Sequence, residues 1–511
     1  MSSRKYLWIF PDSQYRWMWK DFAHHLAART GYRPVFIPFT EQDQSFYESQ
    51  FGERLDAEIA VQADYLGYVV RGGDPEARPE AVIARAKAYE DRYGILLMRD
   101  MVLGCRHIGR GFIRGGLGHP ESYASARATH LLGLQACLKV ADFFEDLSAK
   151  YPPGLALVGG GGGGVYMKPV SLICRARGAP FRSLVHSRFA DYYYWADSEF
   201  EESAHLSRFI RDYPEPSPAA VAEVARRIRP TGLSVAGFQA MGRNIRWPRI
   251  AYLIAYTYAK HVYGRLRGYR IARVGYKPGS TARSLVRQRL HWNKLNRLNL
   301  KGIKDLEGRK LVYFPLQTEP EHSLNVLSPE HSNQYATVLE LALSLPSDAL
   351  LVVKEHPYQI GRRPARYYED LLELPNLVMV HPDEPSLELI RRVALVCVIT
   401  GSAGYEAAVL GKPVVHFGRH GQIRDIPHVH RMEGFSDMAI IRELLDDGDP
   451  EAARRRKIDG ARYFRAMEDY CLDFGPMSIH GREQRPTPDE LRLIGESLLK
   501  TLPEFAEQPC A

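Results

Sequence analysis

Between residues 310 and 418, short apolar runs alternate with polar loops and helical stretches, and this alternation leaves few folds open to the chain. Leu311-Val312-Tyr313-Phe314, closed by Pro315, reads as a buried strand, as do residues 349–353, 377–380, 395–399 and 413–417. A helical pattern over 333–345 separates the first two. Continuous apolar strands alternating with helices imply a parallel sheet covered on both faces. Such sheets bind ligands beyond the carboxyl ends of their strands. Polar clusters fall at those ends: Gln317-Thr318-Glu319 after the first strand, Lys354-Glu355-His356-Pro357 after the second, and Gly401-Ser402-Ala403-Gly404-Tyr405-Glu406 after the fourth.

The first 225 residues alternate in the same way, with candidate strands at 6–10, 34–38, 65–70, 95–99, 155–158 and 182–186 and a long helical pattern over 123–151. The expected organisation is an N-terminal α/β domain (1–225), a connecting segment (226–304), a second α/β domain (305–430) and C-terminal helices (431–511) that pack across both. Six glycines, 159–164, follow the strand at 155–158. They read either as a loop whose backbone approaches a ligand at a helix N-terminus or as a flexible turn. Their spacing fits no Walker loop. Residues 183–195, with Asp191 before Tyr192-Tyr193-Tyr194-Trp195, read either as an aromatic packing corner or as a cleft wall that stacks on sugar rings and carries a carboxylate.

Residues 224–304 contain nineteen Lys and Arg and no Asp or Glu, which leaves the rest of the chain net acidic although the whole carries +8. Within this block Arg243, Arg246, Trp247, Arg249, Lys260, Arg265 and Arg267 surround a tyrosine-rich apolar run of about ten residues. That run is too short to span a bilayer but suits the headgroup layer of an anionic membrane. Nucleic acid would also attract such a charge block, yet no nucleic-acid motif accompanies it. The membrane surface is therefore the expected partner, and no nucleic acid is expected.

A hydrophobic content of 45% and a charged content of 25% are those of a soluble globular protein. Cys105, Cys137, Cys174, Cys397, Cys471 and Cys510 form no C-x-x-C pair, which points to reduced thiols in a cytosolic protein rather than a disulfide framework or zinc site. The apolar run at 6–10 is too short for a signal peptide. The expected location is the cytoplasm, peripherally on the inner face of the membrane.

The strand-end residues suit anion and sugar chemistry. Small residues after a strand let the helix beginning near Ser402 present free N–H groups and its dipole to a phosphate, and Glu406 lies one turn on, placed for ribose hydroxyls. A capped strand-to-helix turn is the ordinary alternative. His356 can donate to a phosphate or a departing nucleotide, and Gln317-x-Glu319 stands on the neighbouring strand. No metal is expected, because no Asp-x-Asp accompanies these residues, and no cofactor is expected either.

Phe314-Pro315-Leu316-Gln317-Thr318-Glu319, then Lys354-Glu355-His356-Pro357, then Gly401 to Glu406 with Gly411-Lys412-Pro413, resemble the capsule polysaccharide biosynthesis proteins, including the retaining β-Kdo glycosyltransferases with their Q-x-E and H-P motifs. The resemblance covers residues 310–418. It implies the GT-B architecture, two Rossmann-like domains with a cleft between them, and a donor nucleotide bound mainly by the second. It also implies transfer of a sugar, a Kdo-like one among the candidates, from a CMP-activated donor to a lipid-linked or polymeric glycan. Glu319 is the expected acid–base group, with Gln317 positioning it. His356 is expected to neutralise the leaving nucleotide, and Asp191 is a candidate nucleophile. Lys354, Glu355, Pro357, Gly401, Ser402, Ala403, Gly404 and Glu406 are expected to bind the donor. A CDP-glycerol glycerophosphotransferase and a non-catalytic capsular-chain binding protein are the competing readings.

Overall fold

A computed structural model describes residues 5–51, 58–59, 64–109, 119–160, 164–228, 245–298, 300–306, 308–419, 421–479 and 484–505. The chain divides into two compact units. Met1–Cys105, Arg127–Phe209 and Met467–Ala511 form the first, and Arg106–Ala126 and Ile210–Ala466 form the second.

The first unit is built on β1 (Tyr6–Phe10), β2 (Arg33–Phe36), β3 (Glu58–Ile59), β4 (Pro153–Gly159), β5 (Phe181–His186) and β6 (Tyr192–Ala196). The spatial order is β6-β5-β4-β1-β2-β3, and a short strand at Leu472–Asp473 pairs outside β6. Strands β1 to β5 run parallel to their neighbours, whereas β6 is antiparallel to β5. Leu7 to Phe10 are fully buried, as a central strand covered on both faces requires. On one face the helix Arg16–Thr30 sets Trp19, Phe22 and Leu26 against Ile494 and Leu498 of the helix Pro488–Leu499.

The second unit holds β7 (Lys310–Pro315), β8 (Ala349–Lys354), β9 (Leu377–Val380), β10 (Leu395–Val398), β11 (Val414–His416) and β12 (Val429–Arg431), all parallel, in the order β12-β11-β10-β7-β8-β9. The chain therefore builds outward from β7 through β8 to β9, then returns to the other side of β7 with β10. That reversal makes the carboxyl ends of β7 and β10 the switch point where open α/β sheets bind ligands. Both units are Rossmann-like in this sense.

Two expected strands are helical. Residues 65–70 form the helix Tyr65–Arg71, because Asp64 accepts from the Gly67 N–H at 3.0 Å and Gly72, at φ +97°, closes the end. Short apolar runs of this kind have no periodicity that separates strand from helix. Residues 95–99 lead into the helical turn Met98–Val102, held by Asp100 accepting from the Leu96 N–H at 2.8 Å. The helical pattern over 123–151 begins only at His130, where Thr129 caps the helix His130–Lys150. The aromatic run at 192–195 is strand β6, with Tyr194 and Trp195 buried. Residues 161–163 of the glycine run lie outside the described residues.

The acid-free block supplies two long helices of the second unit, Trp247–Leu266 and Pro278–Leu295, which pack on each other and each carry proline in the first turn. Among the described residues, no helix is long and apolar enough to cross a membrane.

Candidate functional site

Three loops at the switch point of the second unit are tied into one buried network. Gln317, just past β7, reaches across to the end of β10. With its amide oxygen turned that way it accepts from the Thr400 N–H at 2.7 Å and the Gly401 N–H at 3.0 Å, while its NH2 donates to Thr400 Oγ1 at 2.5 Å. The opposite orientation would leave oxygen facing only acceptors. The Gln317 backbone N–H donates to Gln334 Oε1 at 2.6 Å, and its carbonyl accepts from Gln334 Nε2 at 3.0 Å.

Arg363 is the hub. Its side chain is fully buried, with Nε 2.8 Å from Glu355 Oε2, one terminal nitrogen 2.8 Å from Glu319 Oε2 and the other donating to the Gln317 carbonyl at 2.6 Å. Burial works against its charge, but Glu355 and then Glu319 raise the guanidinium well above its ordinary value. Tyr368 donates to Glu355 Oε2 at 2.6 Å, and Glu355 Oε1 accepts from the His356 N–H at 2.6 Å. Glu355 thus holds the backbone of His356 rather than facing a ligand.

Glu319 differs from its expected role. It is 5% exposed, and its two oxygens are taken, Oε1 by Gln334 and Oε2 by Arg363. Burial raises its carboxyl above the usual range, while Arg363 and Gln334 pull the other way. In this arrangement it positions Arg363 and has no oxygen open to an acceptor hydroxyl.

His356 is the half-buried group at the end of β8. Its Nδ1 accepts from the Tyr358 N–H at 3.2 Å and from Thr318 Oγ1 at 2.9 Å. The ring proton is therefore on Nε2, which makes no hydrogen bond among the described residues. Burial first, then Lys354, Arg363 and Arg362, lower its pKa to about 4. At neutral pH His356 is thus a neutral N–H donor. The cation near it is Arg362, a residue sequence reasoning missed. It is half-buried, forms no ion pair among the described residues, and lies close enough to His356 to depress its pKa. The one sequence signal for it was Gly361, at φ +75°. A Cβ there would sit 2.2 Å from the Gln288 carbonyl oxygen, so only glycine lets the helix Pro278–Leu295 brace the loop, with Gln288 and His291 bonding to the carbonyls of Ile360 and Gly361.

The other expected donor-binding residues divide. Gly401 caps the helix Ser402–Val409 and Ser402 is its first residue, half-buried, so the first-turn N–H groups of Ser402 and Ala403 have no partner within the helix. The Gly404 N–H donates to the Gly401 carbonyl at 3.1 Å, and a Cβ on Gly404 would lie 2.6 Å from Val398 Cγ2. Gly404 is therefore small for close helix-to-strand packing, not for ligand approach. Glu406 is 2% exposed inside that packing. Lys354 is buried and bonds the Glu384 carbonyl at 2.6 Å and Ser386 Oγ at 2.8 Å. Burial lowers its pKa to about 8, against Glu406. Pro357 opens the single turn Pro357–Gln359. Asp191 belongs to the first unit, where it is exposed and its carbonyl accepts from the Phe474 N–H at 2.9 Å. Among the described residues, no group of His, Cys, Asp and Glu side chains gathers as a metal site.

Two histidines behind the site make the second unit acid-sensitive. Burial lowers both His416 and His428 to about 4, and His428 Nε2 donates to the Ala408 carbonyl at 2.8 Å. Their neutral forms stabilise the fold fully above the unfolded value near 6.5, and that stability is lost as pH falls toward about 4. By pH 5 each should have withdrawn roughly 2 kcal/mol. The urea midpoint should therefore be lower at pH 5 than at pH 7, and less so in His428→Gln. Equal midpoints at the two pH values would show that these histidines are not buried neutral.

Of the comparisons with known proteins, the family match falls within this unit. Residues 248–421 match the family described as capsule polysaccharide biosynthesis protein. The match begins within the acid-free block, well before the motifs at 310–418. No curated protein matches the chain. Among solved structures, the chain is similar to the β-Kdo 2,4 transferase of Thermosulfurimonas dismutans KpsC at 13% identity, over 61% of this chain and 79% of that one, with a TM-score of 0.29. The UDP-GlcNAc 2-epimerase of Neisseria meningitidis, bound to UDP-GlcNAc, aligns at 10% identity over 97% and 100%, with a TM-score of 0.28. A glycosyltransferase from Rickettsia africae ESF-5 aligns at 10% identity over 99% and 100%, with a TM-score of 0.27. Over residues 248–421 the chain resembles the capsule polysaccharide biosynthesis proteins, the family to which its Q-x-E, H-P and Gly-Lys-Pro motifs pointed.

Proposed function

We propose that the protein is a glycosyltransferase of surface-polysaccharide synthesis that takes its sugar from a CMP-activated donor. The observation that carries this reading is His356, a neutral Nε2–H donor at the carboxyl end of β8 whose pKa the nearby Arg362 charge helps to lower, together with the first-turn N–H groups of Ser402 and Ala403 at the end of β10, which have no partner within their helix. One cation, one neutral donor and a helix N-terminus suit a single phosphate. As the bond between sugar and phosphate breaks, charge grows on the phosphate oxygens, and preorganised donors stabilise it. Glu319, Gln317, Glu355 and Arg363 act as positioning residues, fixing the loops that carry His356 and Arg362. Arg362 supplies positive charge at the leaving group, so transfer is proposed to be metal-independent. The acceptor is proposed to be a lipid-linked or polymeric glycan. The test is transfer to a glycan acceptor from CMP-sugars, with CDP-glycerol in parallel and with chelator. Turnover of CDP-glycerol alone would transfer the assignment to glycerophosphotransfer, and chelator-sensitive turnover would restore a metal.

The same reading places the enzyme on an anionic membrane surface. The helix Trp247–Leu266 buries only Ile250 and Gly264 fully, and leaves Trp247 49% and Tyr256 53% exposed. Arg246, Arg249, Lys260, Arg265 and Arg267 are exposed with them, and Arg249 lies over the Tyr252 ring at 4.7 Å. Arg243 lies outside the described residues. At about 1 kcal/mol per basic residue near an anionic surface, a few engaged arginines hold the protein there. Flotation with phosphatidylglycerol vesicles should recover it, neutral vesicles should not, and salt should release it. Equal recovery with both vesicle types would remove the membrane from the proposal.

A further inference from the structure

The sheet of the first unit has a switch point of its own. From β1 the chain builds outward to β2 and β3, then returns to the other side of β1 with β4, so the crevice lies between the carboxyl ends of β1 and β4. A cavity of about 230 Å³ opens there, reached by Asp12 from β1, by Gly159 and Gly160 from β4 and by His186 from β5. From its position and chemistry we propose that this cavity is a binding site for a single neutral sugar ring, a function that goes beyond the phosphate-binding site of the second unit.

The lining carries unspent hydrogen-bonding capacity. Asp12 Oδ1 accepts from the Gln14 N–H at 2.6 Å and caps the turn Ser13–Tyr15, while Oδ2 has no hydrogen bond among the described residues. Trp19 is fully buried, and its indole N–H has no partner among the described residues. Glycine keeps the space open. A Cβ on Gly159 would stand 2.9 Å from Trp19 Nε1, and one on Gly160, at φ +82°, would stand 3.4 Å from Asp12 Oδ2. The hydroxyls of Tyr15 and Tyr193 lie 3.5 Å apart, and the Tyr193 ring is backed by Phe474 at 4.4 Å. An acceptor carboxylate, tyrosine hydroxyls and rigid tyrosine walls match the hydroxyls and apolar face of a pyranose.

Size and charge narrow the class. The cavity is smaller than the roughly 300 Å³ at the lower end of sites for drug-sized ligands, so it takes one ring rather than a nucleotide. Arg188 is paired with Glu201 at 2.8 Å. The two ring nitrogens of His186 are engaged, Nε2 with the Ala190 carbonyl at 2.7 Å and Nδ1 with the Arg188 N–H at 3.1 Å. Among the described lining residues that leaves Asp12 as the uncompensated charge, which repels an acidic sugar and accepts from neutral hydroxyls. Arg188 and Glu201 hold φ of 72° and 61°, and Ala190 of 41°; left-handed backbone at non-glycine residues gathers at ligand sites.

The test is ligand-observed NMR titration of the full chain with the methyl glycosides of glucose, galactose, N-acetylglucosamine, N-acetylgalactosamine and rhamnose, with methyl glucuronoside as the acidic probe. At least one neutral glycoside should bind, the glucuronoside should bind tenfold or more weakly, and excess CMP should not displace the ligand. Asp12→Asn, which keeps the cap, should weaken the neutral glycoside tenfold or more and narrow the gap to the acidic one. Tyr193→Phe removes one hydroxyl and should weaken binding severalfold even if Asp12→Asn folds poorly. No neutral binder, an acidic sugar bound equally well, displacement by CMP, or variants that bind like the parent would each overturn the assignment. None of these outcomes depends on whether the protein transfers sugar.

Discussion

Arg363→Met should destabilise the second unit by about 3–5 kcal/mol, the range found when one partner of a buried ion pair is removed. The guanidinium is fully buried between Glu319 and Glu355 and also bonds the Gln317 carbonyl. Methionine fills much of the space but leaves two carboxylates in the interior without a cation. Both would be pushed toward protonation, so the defect should shrink as pH is lowered from 7.5 toward 5.5. That pH trend distinguishes loss of charge compensation from loss of packing volume, which would be the same at either pH. Arg363→Lys should recover only part of the stability, because one ammonium cannot reach three acceptors with a planar fork. The measurement is urea unfolding of the parent and both variants. A Met variant within about 0.5 kcal/mol of the parent, the scatter of ordinary surface substitutions, would show that Arg363 does not hold the three loops together.

The second large effect is on chemistry. His356→Ala and Arg362→Met should each lower transfer from a CMP-sugar by about a hundredfold or more, as removal of one preorganised oxyanion donor does. Neither should unfold the protein, since both side chains are half-buried and the Glu319–Arg363–Glu355 network stays intact. His356→Ala should act mainly on kcat, because its N–H matters most as charge develops on the phosphate. Arg362→Met should weaken donor binding as well, because its charge meets the phosphate in the ground state. Because His356 is held neutral, the activity it supports should persist from pH 8 down through pH 6 rather than fall with an ordinary imidazole titration near 6.5.

Strands β7 to β11 were readable because each is a continuous apolar run with a turn residue behind it, as in Leu311 to Pro315, whereas β12, Val429-His430-Arg431, has no such run and was missed. In the first unit the same reading failed at 65–70, where Asp64 and Gly72 cap a helix around an equally apolar run. It also missed β6, because four consecutive aromatics show no alternation. The placement of His356 and Gln317 at strand ends was legible in the sequence. Arg362 and Arg363 were not, since adjacent arginines in a loop read as solvated surface until the fold buries them. The changed reading of Glu319 has the same origin. A carboxylate at a strand end looks reactive in sequence, and only packing reveals that Arg363 and Gln334 take its oxygens. The acid-free block read as a basic surface alone, yet Gln288 and His291 within it brace the loop that carries Arg362.

Calorimetric titration with CMP tests the phosphate site most directly, because binding needs neither the acceptor nor the donor sugar to be known. The parent should bind CMP, and Arg362→Met and His356→Ala should each weaken that binding by tenfold or more, the equivalent of about 1.4 kcal/mol or more from one lost charge-assisted hydrogen bond. CMP bound equally well by the parent and both variants would contradict the placement of the donor phosphate at the ends of β7, β8 and β10.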